Sequence, residues 1–427
     1  MIDIKLLRDN PEVIKDSQRK RGADLKVLDH VIDLDKKWRD EAKQLDELKH
    51  ERNKVNEEIA RLKKAQKDAS EKIKSSQKLV QKIKKQEADT EATRQVRNDI
   101  LARIPNILHD SVPPGETEQD SVPLRHWGTK PTFKFKPGSH VDLGIACDIF
   151  DIERAAKTSG ARFYFMKNEG VLLEFALINY TLDHLRKAGF ILTIPPNLVR
   201  ERIMFGSGML PLNTDEIYKI KDEDLYLILT AEHALCGLHM DEVLNKEQLP
   251  LRYCGVSPCY RTEAGAHGKD QKGIFRVHQF EKVEMFSFAS PEQSWDEHDF
   301  LLEHAEKLVK GLKLPYRVTN ICTADIGNTA AKKYDIEVWF PGMDTYRELI
   351  SCSNCTDYQS RRLNTRYHDP NSEKPRLVHT LNSTALPMSR TIVAIMENYQ
   401  KSDGSFGIPK VLQPYMDGIK VIKAKKG

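Results

Sequence analysis

The sequence predicts an α+β protein in which a long antiparallel helical hairpin, a coiled coil, precedes a domain built on an antiparallel sheet flanked by helices. Three observations predict it. Residues 25–104 contain neither proline nor glycine and space their apolar side chains by threes and fours, the heptad signature of a coiled coil. From Leu124 onward, short β-like runs follow one another across turn signals, with helical stretches between some of them. Neither GxGxxG nor GxxxxGKS/T occurs, so no dinucleotide-binding or P-loop fold is supported.

The chain opens with a short mixed stretch, residues 1–24, holding a small helix at DNPEVIKDSQRKR. Beyond it, apolar residues recur at Leu34, Trp38, Ala42, Leu45, Leu48, Val55, Ile59 and Leu62. The pattern loses phase around Lys67 to Ser70 and resumes at Ile73, Val80, Ile83, Val96, Ile100 and Ile104. Two antiparallel helices joined by a turn follow, each about 50 to 60 Å long at ~1.5 Å per residue. Their tip is basic: Arg61, Lys63, Lys64, Lys67, Lys72, Lys74, Lys78, Lys82, Lys84 and Lys85 stand against only Asp68 and Glu71. Such a projection can grip a phosphate backbone, and a solvated coiled-coil face has the same composition.

Residues 105–123, rich in proline and acidic side chains, read as a linker. They divide an N-terminal domain, 1–104, from a second domain, 124–427. In the second domain GVLLEFALINYTLDHLRKAGF and PEQSWDEHDFLLEHAEKLVKGL are the clearest helices, and ILTIP, LYLILT, LRYCGVSPCY, GIFRVHQFEKVEMFSF, YDIEVWFP and YRELISCSN are strand candidates.

Composition narrows the function classes. A chain of 427 residues can hold two or three domains. Its net charge of +4 is small, so any surface for an acidic partner is local. No run approaches the ~20 apolar residues of a membrane span, and the start, MIDIKLLRDNPE, lacks the apolar core of a signal peptide. A cytoplasmic protein without membrane association is expected. Seven cysteines, an odd number without a secretion signal, predict free thiols. Cys352 and Cys355 in CSNC, and Cys254 with Cys259, have metal-like spacing, but a structural zinc needs two well-matched pairs. No structural zinc is expected.

The richest stretch is CYRTEAGAHGKDQKGIFRVHQFEKVE, residues 259–284. Arg276, His278, Phe280, Lys282 and Glu284 fall on alternate positions, one face of a strand, and that face is too polar for a core. Read as a hairpin, it puts Arg261 and Glu263 on one face of the first strand and Arg276, Phe280 and Glu284 on one face of the second. Guanidiniums can fork onto phosphates, an aromatic ring can take a base, and carboxylates can take a base edge or an ammonium. An exposed salt-bridge ladder reads the same way. LTAEHA puts Thr230 and Glu232 at the end of an apolar strand, and TYRELISCSN offers Glu348 and Ser351 as hard oxygens for a cation. LNSTALPMSRTIVAIMENYQ runs from a polar loop into a helix, with Pro387 near its first turn and Arg390 one turn in, a start suited to a triphosphate.

Taken together, these stretches resemble the seryl-tRNA synthetases, a family of class II aminoacyl-tRNA synthetases, over essentially the whole chain. FILTIPPNLV with Pro196 resembles the first class II motif, YRTE through FRVHQFEKVE the second, and NSTALPMSRTIVAIMENYQ the third. TAEHA and RELISCSN resemble the family's own signatures, and the basic hairpin resembles its tRNA-binding arm.

The resemblance implies a class II synthetase catalytic domain on a six- or seven-stranded antiparallel sheet, dimerised through the first motif. It implies that serine and ATP form seryl-adenylate, and that the seryl group passes to the terminal adenosine of tRNA(Ser), with selenocysteine tRNA a further candidate acceptor. Arg261 is then expected on the α-phosphate and the serine carboxylate, with Thr262 beside it and Glu263 on the adenine amino edge. Phe280 is expected to stack on adenine while Arg276 and Arg390 neutralise the outer phosphates. Glu348, Leu349, Ile350 and Ser351 should line the ATP site, with Glu348 and Ser351 holding Mg2+. Thr230, Ala231, Glu232, Glu284, Asn382 and Thr384 should surround the serine. Arg61, Lys63, Lys64, Lys67, Lys72, Lys74 and Lys78 should meet the tRNA, through its long variable arm and elbow. Lys269, Ala324, Leu349, Ile350 and Pro387 depart from the usual family pattern. A site that hydrogen-bonds the serine hydroxyl rejects analogues lacking it by about 10⁴ to 10⁵, so no separate editing domain is expected.

Overall fold

The computed structural model describes residues 1–264 and 272–425, in two compact units, Ile2–Pro105 and Asn106–Gly427 together with Met1. Lys269 lies outside the described residues.

The first unit is helical: α1 Ile4–Asp9, α2 Pro11–Lys20, α3 Lys26–Lys64 and α4 Ser70–Leu101. Asp3 caps α1 by accepting from Lys5 N at 2.8 Å, and Pro11 occupies the first turn of α2, where its missing N–H costs nothing. α3 ends in Arg61, Lys63 and Lys64, which favour the negative end of its dipole. Asp68 then accepts from Ser70 N at 2.9 Å as α4 begins. The two long helices run antiparallel, as the pairs Arg97–Asp35, Lys49–Glu87 and Lys72–Glu58 require.

The seam of α3 follows the predicted heptad, with Trp38, Ala42, Leu45, Leu48, Val55, Ile59 and Leu62 all half-buried. That of α4 does not. Val80 and Val96 are 50% and 49% exposed, and the buried positions are Leu79, Ile83, Thr90, Thr93, Arg97 and Leu101. Half of those are polar, which hides the repeat from a hydrophobicity pattern. Arg97 enters the seam because Asp35 is there to meet it at 2.8 Å, and its guanidinium lies 4.5 Å from the centre of the Trp38 ring. Arg8 reaches the same carboxylate at 2.6 Å. Burial works against the Asp35 charge, but the hydrogen bonds and charges of Arg8 and Arg97 outweigh it and lower its pKa.

The second unit is built on an eight-stranded sheet. In chain order its strands are β1 Val122–Trp127, β2 Ile191–Thr193, β3 Leu251–Tyr260, β4 Gln279–Ala289, β5 Tyr316–Asn320, β6 Lys332–Phe340, β7 Thr345–Asn354 and β8 His379–Pro387. They lie in the order β1-β5-β6-β7-β8-β4-β3-β2, all antiparallel except the edge pair β2–β3, which is parallel. The sheet is thus larger than the expected six or seven strands, because ILTIP joins the edge. The described residues contain no helix long and apolar enough to cross a membrane.

Alternation along β4 separates two cores. Val283 and Met285 join the large cluster under α5 Glu169–Lys187, α7 Ser294–Gly311 and α9 Met388–Asn398. Phe286 and Phe288 face the other way, into a smaller cluster with Ala231 and Leu235 of α6 Ala231–Cys236 and Leu363 of α8 Tyr358–Leu363. Phe280, Lys282 and Glu284 share that second face by parity. Toward its start this face turns polar, with Glu284 and Lys282 buried and Phe280 half-buried, and this positions the site.

The stretch read as a linker is built into this unit from Asn106 onward. Leu108 and Val112 pack with Ile321, Ile326 and Ala330, and Asn106 Nδ2 donates to the carbonyls of Thr329 and Cys355, each at 2.8 Å.

Candidate active site

β3 ends at Tyr260 and β4 begins at Gln279, so Arg261, Glu263, Arg276 and His278 lie outside the strands that the period-two pattern predicted. One ladder bond continues past the strand end, Arg261 N to His278 O at 2.9 Å. Glu263 then takes a left-handed backbone, φ +55°, uncommon without glycine. That turn brings its carboxylate to Arg276 Nε at 2.8 Å. His278 leaves the site: its Nδ1 lies 2.9 Å from Tyr218 Oη and its ring stacks on Phe163. Thr262 hydrogen-bonds the Asp215 carbonyl.

Arg261, Glu263, Phe275, Arg276, Phe280 and Lys282 line one side of a cleft, and Glu348, Leu349, Thr384, Pro387, Ser389 and Arg390 line the other. The Arg261 guanidinium sits 5.3 Å from the Phe280 ring centre, so the cation and the aromatic face are presented together.

Two bulges shape the second wall. Between β6 and β7 the register passes from Ile336↔Ile350 to Glu337↔Glu348, leaving Leu349 as the extra residue. Residues three apart on a regular strand face opposite ways; the bulge cancels that, and Ser351 Oγ donates to Glu348 Oε1 at 3.1 Å. Between β4 and β8 the register passes from Thr384↔Glu284 to Leu386↔Val283, leaving Ala385 extra, so that Thr384 and Pro387 both face the cleft. Ile350 points into the core, fully buried, and does not line the cleft. The residues before Arg390 form the central strand β8 rather than a polar loop, buried between β7 and β4.

Arg390 is the third residue of α9. Its Nη1 donates to Glu348 O at 3.0 Å and lies 3.6 Å from Glu348 Oε2, while its Nε donates to Phe275 O at 3.3 Å. Enclosure opposes the Glu348 charge, but Arg390, Lys333 and Arg261 outweigh it and hold the carboxyl below its usual range. Beyond Glu348 the cleft opens to a second cavity lined by Arg276, Arg317, Asp335 and Arg347. Asp335 stands opposite Ser351 in the sheet, and its buried Oδ1 has no hydrogen-bond partner among the described residues. This set of hard oxygens fits Mg2+.

A second group of residues sits behind Lys282 and Thr384. Lys282 and Glu284, both buried, form an ion pair, and Thr384 Oγ1 donates to Glu284 Oε2 at 3.4 Å. Thr230 caps α6, accepting from Glu232 N at 3.3 Å, and buried Ala231 begins that helix. Glu232 Oε1 accepts from Asn382 Nδ2 at 3.1 Å and from Gln359 Nε2 at 2.8 Å. Burial, and then the Glu284 charge, push the Glu232 carboxyl up to about 7, against the Gln359 hydrogen bond and the charges of Lys282 and Arg261. α6 can approach β3 this closely because residue 255 is glycine: a Cβ there would lie 2.8 Å from Ala231 Cβ.

The candidate ATP and serine residues thus converge, apart from Thr262 and Ile350. Sequence reasoning left out Lys282, Phe275, Asp335 and Gln359. Lys282 was legible on the alternating run of β4; the others come from separate elements with no pattern linking them to the site. Ala324 is exposed in a turn, and Pro387 is the N-cap of α9. All seven cysteines are free and buried. Burial raises the Cys352 and Cys355 thiols, and the described residues contain no cluster of three or more His, Cys, Asp or Glu that could hold a metal.

An antiparallel sheet whose arginines sit at a strand end and at a helix start around one cleft defines a class II aminoacyl-tRNA synthetase core. Residues 218–399 match the tRNA synthetase class II core domain (G, H, P, S and T), and residues 1–108 match the seryl-tRNA synthetase N-terminal domain. The whole chain is 48% identical to the serine–tRNA ligase of Pyrococcus horikoshii, covering 98% of it. It is similar to the crystal structure of the Pyrococcus horikoshii seryl-tRNA synthetase complexed with ATP, TM-score 0.93 with both chains covered completely. It also resembles the cytoplasmic serine–tRNA ligase of Naegleria fowleri in complex with AMP, 35% identical, TM-score 0.89, covering 100% of this chain and 99% of that one. The chain belongs to the seryl-tRNA synthetase family.

Proposed function

We propose that the chain is an ATP-dependent serine–tRNA ligase whose cleft activates serine and whose helical hairpin, within residues 1–104, holds tRNA(Ser). The observation that carries this reading is the convergence of Arg261, Arg276, Arg390 and Glu348 around one cleft, with Ser351 bonded to Glu348 and with the buried Glu284 and half-buried Glu232 carboxylates behind Lys282 and Thr384. Adenylation needs no protein nucleophile: the serine carboxylate attacks the α-phosphorus, pyrophosphate leaves, and the protein supplies positioning and charge compensation.

Arg261 takes the α-phosphate and the serine carboxylate, Phe280 the adenine ring, Glu263 its amino edge, and Arg276 and Arg390 the outer phosphates. Mg2+ would be held by Glu348 and Ser351, where it offsets phosphate charge. Of these two carboxylates, Glu284 is already paired with Lys282. Glu232 has no ion pair among the described residues, so it takes the serine ammonium, leaving Glu284 and Thr384 for the hydroxyl. A homodimer through the first motif is supported by the apolar exposure of Phe175 (60%) and Ile194 (87%) beside the edge strand β2. A cytoplasmic location goes with this reading.

Pyrophosphate exchange with serine, threonine, alanine and cysteine tests it, alongside charging of tRNA(Ser) with and without residues 61–85. Serine-dependent exchange abolished by Arg261→Ala, with charging lost on trimming the hairpin, is the expected result. Exchange that survives while the intact chain fails to charge tRNA(Ser) would indicate another acceptor, and no exchange with any of the four amino acids would refute the proposal.

A further inference from the structure

Gln359 is fully buried on α8, outside the cleft, and every polar atom of its amide is used. Its Oε1 accepts from Thr380 Oγ1 at 2.7 Å. Its Nε2 donates to the carbonyl of Ser207 at 3.0 Å and to Glu232 Oε1 at 2.8 Å. The orientation is forced by chemistry, since a carbonyl and a carboxylate can only accept and must therefore face the NH2 end. With Asn382 Nδ2 at 3.1 Å, the same Glu232 oxygen receives two amide donors.

We infer that Gln359 is a positioning residue of the amino-acid site, fixing the Glu232 carboxylate in its charged form and in the orientation that receives the substrate ammonium. This rests on the reading of Glu232 given above. Hydrogen bonds donated to a carboxylate favour its ionised form, and Glu232 is a group in need of them. Facing it are the Glu284 carboxylate, which opposes its charge, the Lys282 and Arg261 cations, which favour it, and the buried thiols Cys236 and Cys355. A neutral amide supplies the donor without adding a cation that would compete with the substrate's ammonium. Three elements, α8, β8 and the helix Glu201–Ser207, thereby set the position of one oxygen on a fourth, α6.

The test uses the full chain, with KM for serine and for ATP in pyrophosphate exchange followed from mildly acidic to alkaline pH. Gln359→Leu removes the donors, Gln359→Glu keeps the shape and adds a competing charge, and Glu232→Gln is the control. Gln359→Leu is expected to raise the serine KM about 10- to 100-fold, the loss of a hydrogen bond to a charged group, with ATP KM unchanged. The serine pH profile should move to higher pH, and Gln359→Glu should move it further. A serine KM that stays put, or rises without a shift in the profile while Glu232→Gln raises it, overturns the inference and reduces Gln359 to packing. If Glu232→Gln itself leaves the serine KM unchanged, the ammonium reading fails and the inference falls with it. Melting of each variant separates misfolding from both results, and Gln359→Glu retains the volume if Gln359→Leu does not fold.

Discussion

Gly255 offers a sharp probe of how the amino-acid site is built. It lies on β3 opposite Glu284, and a Cβ added there would sit 2.8 Å from Ala231 Cβ and 3.0 Å from Leu235 Cδ1. The first of those atoms is one bond from the α6 backbone, so relief requires movement of α6 itself, which carries Glu232. Overpacking of this kind costs about 1–3 kcal/mol. The cost can fall in two places. If α6 retreats, serine binding weakens, by up to about 5- to 150-fold at ~1.4 kcal/mol per decade. If α6 stays, the strain lowers folding stability by the same amount. For Gly255→Ala, serine KM and Tm should together account for that range, with a smaller change in ATP KM because Arg390 and Glu348 are on other segments. Gly255→Val should do more. A Gly255→Val chain with wild-type serine KM and wild-type Tm would refute the claim that this contact sets the α6 position.

The remaining predictions concern the cation site, the hairpin and its base. Glu348→Gln and Ser351→Ala should each raise the Mg2+ concentration needed for half-maximal exchange, about tenfold or more, with serine KM little changed; a wild-type Mg2+ titration in both would remove these residues from the site. In the hairpin, Lys72 pairs with Glu58 at 2.5 Å and Lys74 with Glu71 at 3.0 Å, whereas Lys63, Lys64, Lys67 and Lys78 form no ion pair among the described residues. Replacing the latter four by alanine should weaken tRNA binding more than replacing the former two, and lower the salt slope by roughly 0.7 to 0.9 for each phosphate no longer neutralised, while exchange without tRNA is unaffected. At the base, Asp35→Ala leaves Arg97 buried without its counter-charge. Breaking a buried ion pair costs about 3–5 kcal/mol, and the partial exposure of Arg8 puts the expected loss near the lower figure, read from urea unfolding followed by helical circular dichroism.

Much of the chain was legible without coordinates because its signals are local. Proline-free heptads dictate α3 wherever the partner lies, and the parity of Phe280, Lys282 and Glu284 follows from the strand itself. The ordered set of short motifs carried the family and the residue types its chemistry needs. Tertiary structure decided the rest. The α4 seam runs through Thr90, Thr93 and Arg97, which only the facing helix, with Asp35, makes into interior residues. Glu348 and Ser351 share a wall because an extra residue, Leu349, enters β7 against β6, and a bulge is a property of two strands in register. Arg276 and His278 lie before β4 begins, where His278 N donates to the Arg162 carbonyl and its ring packs on Tyr218 and Phe163, partners from distant segments. Gln359 reaches Glu232 across 127 residues of sequence. No periodicity records such a contact, since it exists only once α6, α8 and β8 have packed on one face of the sheet.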